Sequence, residues 1–323
     1  MKAAVIYQKG EMPQYAEFPE PVVKNEGEIL ISVKAAAIKN IDKGKANGTH
    51  YSAADNRQNP IVPGGDGVGL LADGTRVFAL GVSGMLAEKA VIEKNRMIKL
   101  PAGVDDVTAA ALPNAVAGSA MALRFRAGMK PGETVLINGA TGFTGKIAVQ
   151  VAKHYGAKKI IVTGRNEKTL QALLALGADE IISLQQDDES FTAQLKEINN
   201  NTPVDIIIDY LWGHSAELIL SSLKGAGSYT HKVRFVSIGA VTGDKIQLSA
   251  ENLRSVDLQL SGSGLGSWTK DEMKELFSEI LPEMFRLAAE HKLKVETENV
   301  SLANIEKLWS MEMTDGKRLV ITM

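Results

Sequence analysis

The sequence predicts a two-domain α/β protein, a small antiparallel β-barrel joined to a doubly wound parallel sheet. Three observations carry this. The first third shows short apolar or alternating runs separated by turn signals, and from about residue 134 strand-like runs alternate with helical patterns. A glycine-rich stretch, VLINGATGFTGKIAVQVA from Val135 to Ala152, opens that alternating half. With 323 residues, 45% hydrophobic and 23% charged, the chain is long enough for two substantial cores.

In chain order, Lys2–Gln8 and Glu28–Ala37 read as strands. The segment VGLLADGTRVFAL, Val68–Leu80, places Asp73-Gly74 between two apolar runs, a hairpin signal. A strand over Met85–Glu93 leads to a turn at Pro101–Gly103. Helical patterns follow over Asp106–Ala111, with a break at Pro113, and over Ala115–Arg126, stopped by Gly128. Strands are then expected at Thr134–Ile137, Lys159–Thr163, Glu180–Ser183, Val204–Asp209, Val233–Ile238 and Leu258–Leu260. A one-sided apolar pattern over Lys270–His291 predicts a helix with a kink or a new first turn at Pro282. A final strand, Leu319–Met323, is expected to return to the first domain, whose bounds read as 1–125 and 260–323, with 126–259 forming the second.

The chemistry begins at the glycine turn. Gly139, Ala140, Gly142 and Gly145 lie between a buried strand and a helix, where backbone N–H groups and the positive helix end approach a pyrophosphate without an intervening side chain. A dinucleotide is the expected ligand, although three glycines after a strand can also serve only a tight connection. The next strand ends in Gly164, Arg165, Asn166, Glu167 and Lys168. A carboxylate at the strand end would favour a free ribose 2′-hydroxyl, whereas Arg165 and Lys168 offer positive charge to a 2′-phosphate. NADPH is therefore expected over NADH, with Glu167, in the first turn of the next helix, as the contrary sign.

The net charge of −2 comes without a basic tail or RNA-reading aromatic pattern, so nucleic acid is not an expected partner. No leader and no apolar run of bilayer length is read, so the expectation is a cytoplasmic protein with no membrane partner. The chain has no cysteine, which excludes thiolate-ligated zinc and thiol redox chemistry. Its five histidines, His50, His154, His214, His231 and His291, show no ligand spacing, and no metal site is expected.

Taken together, KAAAIKNIDKGKANG (Lys34–Gly48), PGGDGVG (Pro63–Gly69), MLAEKAVIEKNRMIKLP (Met85–Pro101), the glycine turn, LGADEII (Leu176–Ile182), VRFVSIG (Val233–Gly239) and GKRLVITM (Gly316–Met323) resemble the zinc-independent, quinone oxidoreductase-like branch of the medium-chain dehydrogenases/reductases, with its zeta-crystallin and enoyl reductase-like members. The likeness covers nearly the whole chain. It implies a GroES-like barrel as catalytic domain, a Rossmann domain for NADPH, and a homodimer that pairs edge strands, here Leu258–Leu260. It also implies cofactor contacts at Ala140, Thr141, Gly142, Phe143, Thr144 and Gly145 for the pyrophosphate, and at Gly164, Arg165 and Lys168 for the 2′-phosphate. Further contacts are implied at Asp209 and Tyr210, at Ile238, Gly239 and Ala240, and at Gly262, Ser263 and Gly264.

Two departures stand out. Relatives carry an asparagine where this chain has Lys39, with Asn40 beside it, and a tyrosine near Leu184. The histidine that zinc-dependent relatives place near Gly65-Asp66-Gly67 is missing, leaving Asp66 as a barrel residue or a hydrogen-bonding helper. A hydride acceptor activated without metal needs hydrogen bonds or a cation at its developing oxyanion. The candidates are Lys39 for charge, Asn40 for orientation and Tyr51 for a proton or hydrogen bond, set against a solvated Lys39 and a Tyr51 that caps a loop. Tyr210, Trp212 and Asn114 are candidate pocket walls or plain packing. The expected activity is NADPH-dependent reduction of a small quinone, enone or aldehyde. Its rivals are a nucleotide-binding sensor or partner-binding protein with little turnover, zinc-free alcohol oxidation, and a short-chain reductase or epimerase, whose tyrosine-lysine pair is matched only by Tyr155 and Lys159.

Overall fold

The computed structural model describes residues 1–53, 60–225, 230–311, 313 and 316–323. They form two units, one of Met1–Asn114 with Met273–Met323, the other of Ala115–Glu272. In chain order, β1 (Lys2–Val5), β2 (Gln14–Glu17), β3 (Glu28–Ala37), α1 (Asn40–Asn47), β4 (Asp66–Leu70), β5 (Arg76–Gly81) and β6 (Lys89–Lys99) precede α2 (Asp106–Met121). Then come β7 (Thr134–Asn138), α3 (Phe143–His154), β8 (Lys159–Gly164), α4 (Glu167–Ala172), β9 (Glu180–Ser183) and α5 (Asp188–Asn201). They are followed by β10 (Ile206–Asp209), α6 (Gly213–Ser222), β11 (Val233–Ser237), α7 (Ala250–Ser255) and β12 (Leu258–Gly262). The chain closes with α8 (Lys270–Glu275), α9 (Leu281–Ala289), β13 (Thr297–Ser301), α10 (Ile305–Leu308) and β14 (Arg318–Thr322).

The first unit is a closed barrel because β3 is long enough to serve three partners. Its Glu28–Ser32 half pairs with β6, its middle with β4 across a bulge, and Ala35–Ala37 with β14. Since β4 also pairs β5 and β5 pairs β6, the ring β3-β4-β5-β6 closes on itself and leaves no free edge there. The expected hairpin stands between β4 and β5, where the Asp73 carboxylate accepts the Thr75 amide at 2.9 Å. Ile31, Val33, Val77, Met85, Leu86 and Trp309 fill the interior. The terminal strand β14 does return to this unit, and it brings β13 with it as a parallel neighbour.

The second unit is a six-stranded parallel sheet in the order β12-β11-β10-β7-β8-β9. Its middle strands are buried throughout, as helices on both faces demand, so they read in the sequence as unbroken apolar runs.

One local expectation differs from what is found. Pro113 lies inside a continuous α2 and does not break it. The flanking Ala109, Ala110, Ala111, Leu112, Ala115 and Val116 are fully buried good helix formers or packed apolar residues, so burial and propensity outweigh the lost hydrogen bond. The helix then ends in a π-turn, Ala122–Arg126. The strands β2 and β13 carried no alternating apolar signal because their residues are mostly exposed. At Pro282 the expected new first turn is present, placed just after a π-turn at Leu276–Ile280.

Candidate functional site

In the second unit the C-terminal ends of β7, β8, β10, β11 and β12 carry the residues expected at a dinucleotide. Ala140 is buried and its amide donates to the Thr163 carbonyl at 2.8 Å, fixing the start of the turn. A Cβ on Gly145 would lie 2.4 Å from the Ala140 Cα, so only glycine lets α3 come this close to the strand. Gly142 is the opposite case. It is the N-cap of α3, no side chain caps the helix there, and a Cβ would meet nothing within 4 Å. A helix N-terminus left open over a glycine is a cradle with the shape and polarity for a phosphate.

The turn also touches the end of β8, because the Thr141 methyl occupies the place of a Gly164 side chain. Arg165 and Lys168 are exposed immediately beyond it. Arg165 borders a depression of about 160 Å3 together with Leu184, Gln186, Leu211 and Thr242. Glu167 is held along α4 by Gln171 at 3.0 Å, and Asn166 caps the helix by accepting the Thr169 amide. The depression thus combines Arg165 at its rim with apolar walls from Leu184, Phe191, Leu211 and Leu218, and with the carboxylate of Asp188.

Ile238 and Gly239 are half-buried, and both amides donate to the Asp209 carbonyl, at 2.7 and 3.2 Å. A side chain on Gly239 would strike the Tyr210 carbonyl at 2.7 Å. Ala240 is exposed. Ser263 is buried, with its hydroxyl accepting from the Trp268 indole at 3.0 Å, and Gly264 is held by Ser267. The Asp209 side chain is fully buried, accepting from Asn138 Nδ2 at 2.7 Å and from the amides of Leu211 and Trp212. Burial pushes its carboxyl up, opposed by those amides and Asn138. Asn138 in turn accepts from the Thr163 hydroxyl at 2.6 Å and donates to Ser215 at 2.9 Å. The sequence reading overlooked Asn138, Thr163 and Ser215, although polar residues ending buried strands are the signal that could have marked them.

In the barrel unit Lys39 is not solvated. It is 3% exposed, at the N-cap of α1. Its ammonium bonds the Asp66 carboxylate and lies 3.3 Å from Asp42 Oδ2. Asp42 also accepts the Lys39 and Gly65 amides, both at 3.1 Å. Burial would lower the Lys39 pKa, but Asp42 and then Asp66 outweigh it and hold it above the ordinary lysine value. Burial pushes the Asp66 carboxyl up against the pull of Lys39, and pushes Arg318, a fourth member, down to about 10. Arg318 Nη1 donates to the Ile38 carbonyl at 3.3 Å. Asn40 is exposed at the first position of α1, and Tyr51 is 71% exposed with its ring against His50. Asp42 was legible as the third residue of a capped helix, whereas nothing local links Arg318 to Lys39. Among the described residues no group of three metal-ligating side chains occurs.

A closed barrel combined with a parallel sheet that presents a bare glycine turn is the architecture of the medium-chain dehydrogenases/reductases. Residues 144–282 match the family model described as zinc-binding dehydrogenase. The chain is 27% identical to a probable NADPH-dependent quinone reductase of Emericella nidulans, over 96% of each, and 27% identical to the human quinone oxidoreductase, over 79% of this chain and 76% of that one. Among solved structures, a Thermus thermophilus quinone oxidoreductase, described also in complex with NADPH, is 26% identical with a TM-score of 0.79 over all of both chains. A mycobacterial quinone oxidoreductase shares the fold at a TM-score of 0.84 and 21% identity, again over all of both. Together these comparisons support a protein similar to the quinone oxidoreductase-like branch of the medium-chain dehydrogenases/reductases.

Proposed function

We propose that this chain is an NADPH-dependent oxidoreductase that reduces a small quinone or α,β-unsaturated carbonyl compound without zinc. The observation that carries the cofactor is the open Gly142 cradle in contact, through Thr141 and Gly164, with a strand end that presents Arg165 and no carboxylate. The relatives named for NADPH and quinone support the same reading.

Residues Ala140–Gly145 hold the pyrophosphate, Gly164, Arg165 and Lys168 the 2′-phosphate, and Ile238, Gly239, Ala240, Ser263 and Gly264 border the nicotinamide half. When bound, NADPH supplies a hydride from its nicotinamide ring, and the protein supplies orientation and electrostatics. Lys39, in a cluster where Asp42 and Asp66 are balanced by Lys39 and Arg318, supplies positive charge, Asn40 orients an acceptor oxygen, and Tyr51 donates a hydrogen bond or proton. The 126–259 segment is the NADPH domain of this reading. The protein works in the cytoplasm as a homodimer paired through β12, a sheet-edge strand on which Leu260 is 38% exposed. No described helix is long and apolar enough to cross a membrane.

The test follows NADPH absorbance against quinones, enones and aldehydes, with NADH alongside and a chelator present. Acceptor-dependent oxidation that survives chelation and favours NADPH is expected. Tight NADPH binding without oxidation of any acceptor replaces the reductase reading with that of a sensor or partner-binding protein.

A further inference from the structure

The turn that joins β10 to α6 is strained. Trp212 has φ 59° and ψ −155°, a region that side-chain-bearing residues avoid, and the next residue, Gly213, is also at positive φ. Such a conformation persists only where its surroundings over-determine it, and here they do. The Trp212 amide donates to both Asp209 oxygens, at 3.1 and 3.0 Å, and the Leu211 amide to Oδ1 at 3.0 Å. From the other side the Thr242 hydroxyl donates to the Leu211 or the Trp212 carbonyl, each 3.0 Å away.

The consequence falls on Leu211. Its Cγ lies 2.6 Å from where a Gly139 Cβ would be, so the side chain rests directly on the first glycine of the phosphate turn. The same Leu211 walls the depression that Arg165 and Leu184 border. Asp209 itself, with no exposed surface and its oxygens surrounded by donors, cannot meet a ligand there. Asn138 ties this carboxylate to Thr163, whose hydroxyl also accepts the Gly139 amide at 3.1 Å. One buried hydrogen-bond chain thus sets both the glycine turn and the apolar wall.

We propose that Asp209 is a positioning residue for the adenosine half of the dinucleotide, acting by holding the Leu211–Trp212 turn in its strained conformation and not by touching the ligand. The inference rests on the NADPH reading above. Its test is the isosteric Asp209→Asn, in which an amide N–H2 must face the Trp212 or Asn138 donors. Calorimetry measures Kd for NADPH and for adenosine 2′,5′-bisphosphate, beside kcat at saturating NADPH and the unfolding midpoint. The expected result is that both ligands weaken by the same factor, about tenfold, with kcat within about twofold. NADPH weakened with the bisphosphate unchanged, both unchanged, or kcat falling in step with affinity would each overturn the proposal. Should Asp209→Asn not fold, it is made in a Trp212→Gly background, where glycine takes the positive φ unaided: both ligands are then expected within about threefold of the Trp212→Gly single variant, and a loss of about tenfold relative to that variant would overturn the proposal. A wild-type chain that binds neither ligand overturns the NADPH reading itself and this inference with it; wild-type binding with an unaffected Asp209→Asn single variant overturns the inference alone.

Discussion

The barrel and the parallel sheet each bury carboxylates beside a glycine-containing strand end or turn, and they neutralise them by different means. In the barrel, Asp42 and Asp66 are balanced by two full cations, Lys39 and Arg318. In the sheet, Asp209 is surrounded by backbone amides and an asparagine, with no cation among its hydrogen-bond donors in the described residues. An ion cluster depends on the presence of every member, because removing one leaves a buried charge unmatched. An amide cage depends on backbone conformation, so it ties charge to shape. The barrel device fixes composition; the sheet device fixes the path of a loop.

The largest expected effect comes from breaking the ion cluster. Lys39→Met leaves two buried carboxylates with one cation and should cost about 3–5 kcal/mol in urea unfolding. A loss below about 1 kcal/mol would mean that water reaches the cluster and screens it. In the sheet, Gly145→Ala drives a methyl into the Ala140 backbone and should cost about 1–3 kcal/mol, with NADPH affinity lost alongside. Gly142→Ala sharpens the contrast. Its Cβ enters open space, so unfolding should stay within about 1 kcal/mol of wild type while NADPH affinity falls. Unchanged affinity would remove the cradle from the cofactor site.

A smaller effect separates exposed charge from both buried clusters. His214, largely exposed on α6, has its pKa raised first by its hydrogen bond to Asp188. A raised histidine pKa adds stability that is present below the ordinary value of about 6.5 and disappears as pH rises through the shifted one. The unfolding midpoint of wild type should therefore exceed that of Asp188→Asn by more at about pH 5.5 than at about pH 8. An equal difference at both would show that the pair is screened to nothing, as exposed pairs often are.

Much of the architecture was legible because its signals are local. Asp73-Gly74 makes a hairpin from its own backbone preference and a side-chain bond two residues on. The six parallel strands announced themselves as apolar runs because helices bury both faces. Pro113 misled because a local rule was overridden by burial, and β2 and β13 were silent because exposed strands need no apolar alternation. At the candidate sites, the tight strand–turn–helix geometry around Gly139, Gly142 and Gly145 was legible from their spacing. The sequence singled out Lys39 but supplied the wrong surroundings for its bland reading, since the partner that decides its burial, Asp66, is 27 residues away and Arg318 lies in the last strand.

By itself, then, the sequence determined the two-part fold, the glycine turn and the positive charge placed just past β8, all of which follow from periodicity and neighbouring residues. Only the tertiary structure decided which polar groups are taken out of water together: Lys39 with Asp42, Asp66 and Arg318, and Asp209 with Asn138 and the strained Trp212 turn. The physical reason is that desolvation is a property of the assembled interior. Its cost and its remedy depend on partners that no stretch of chain contains.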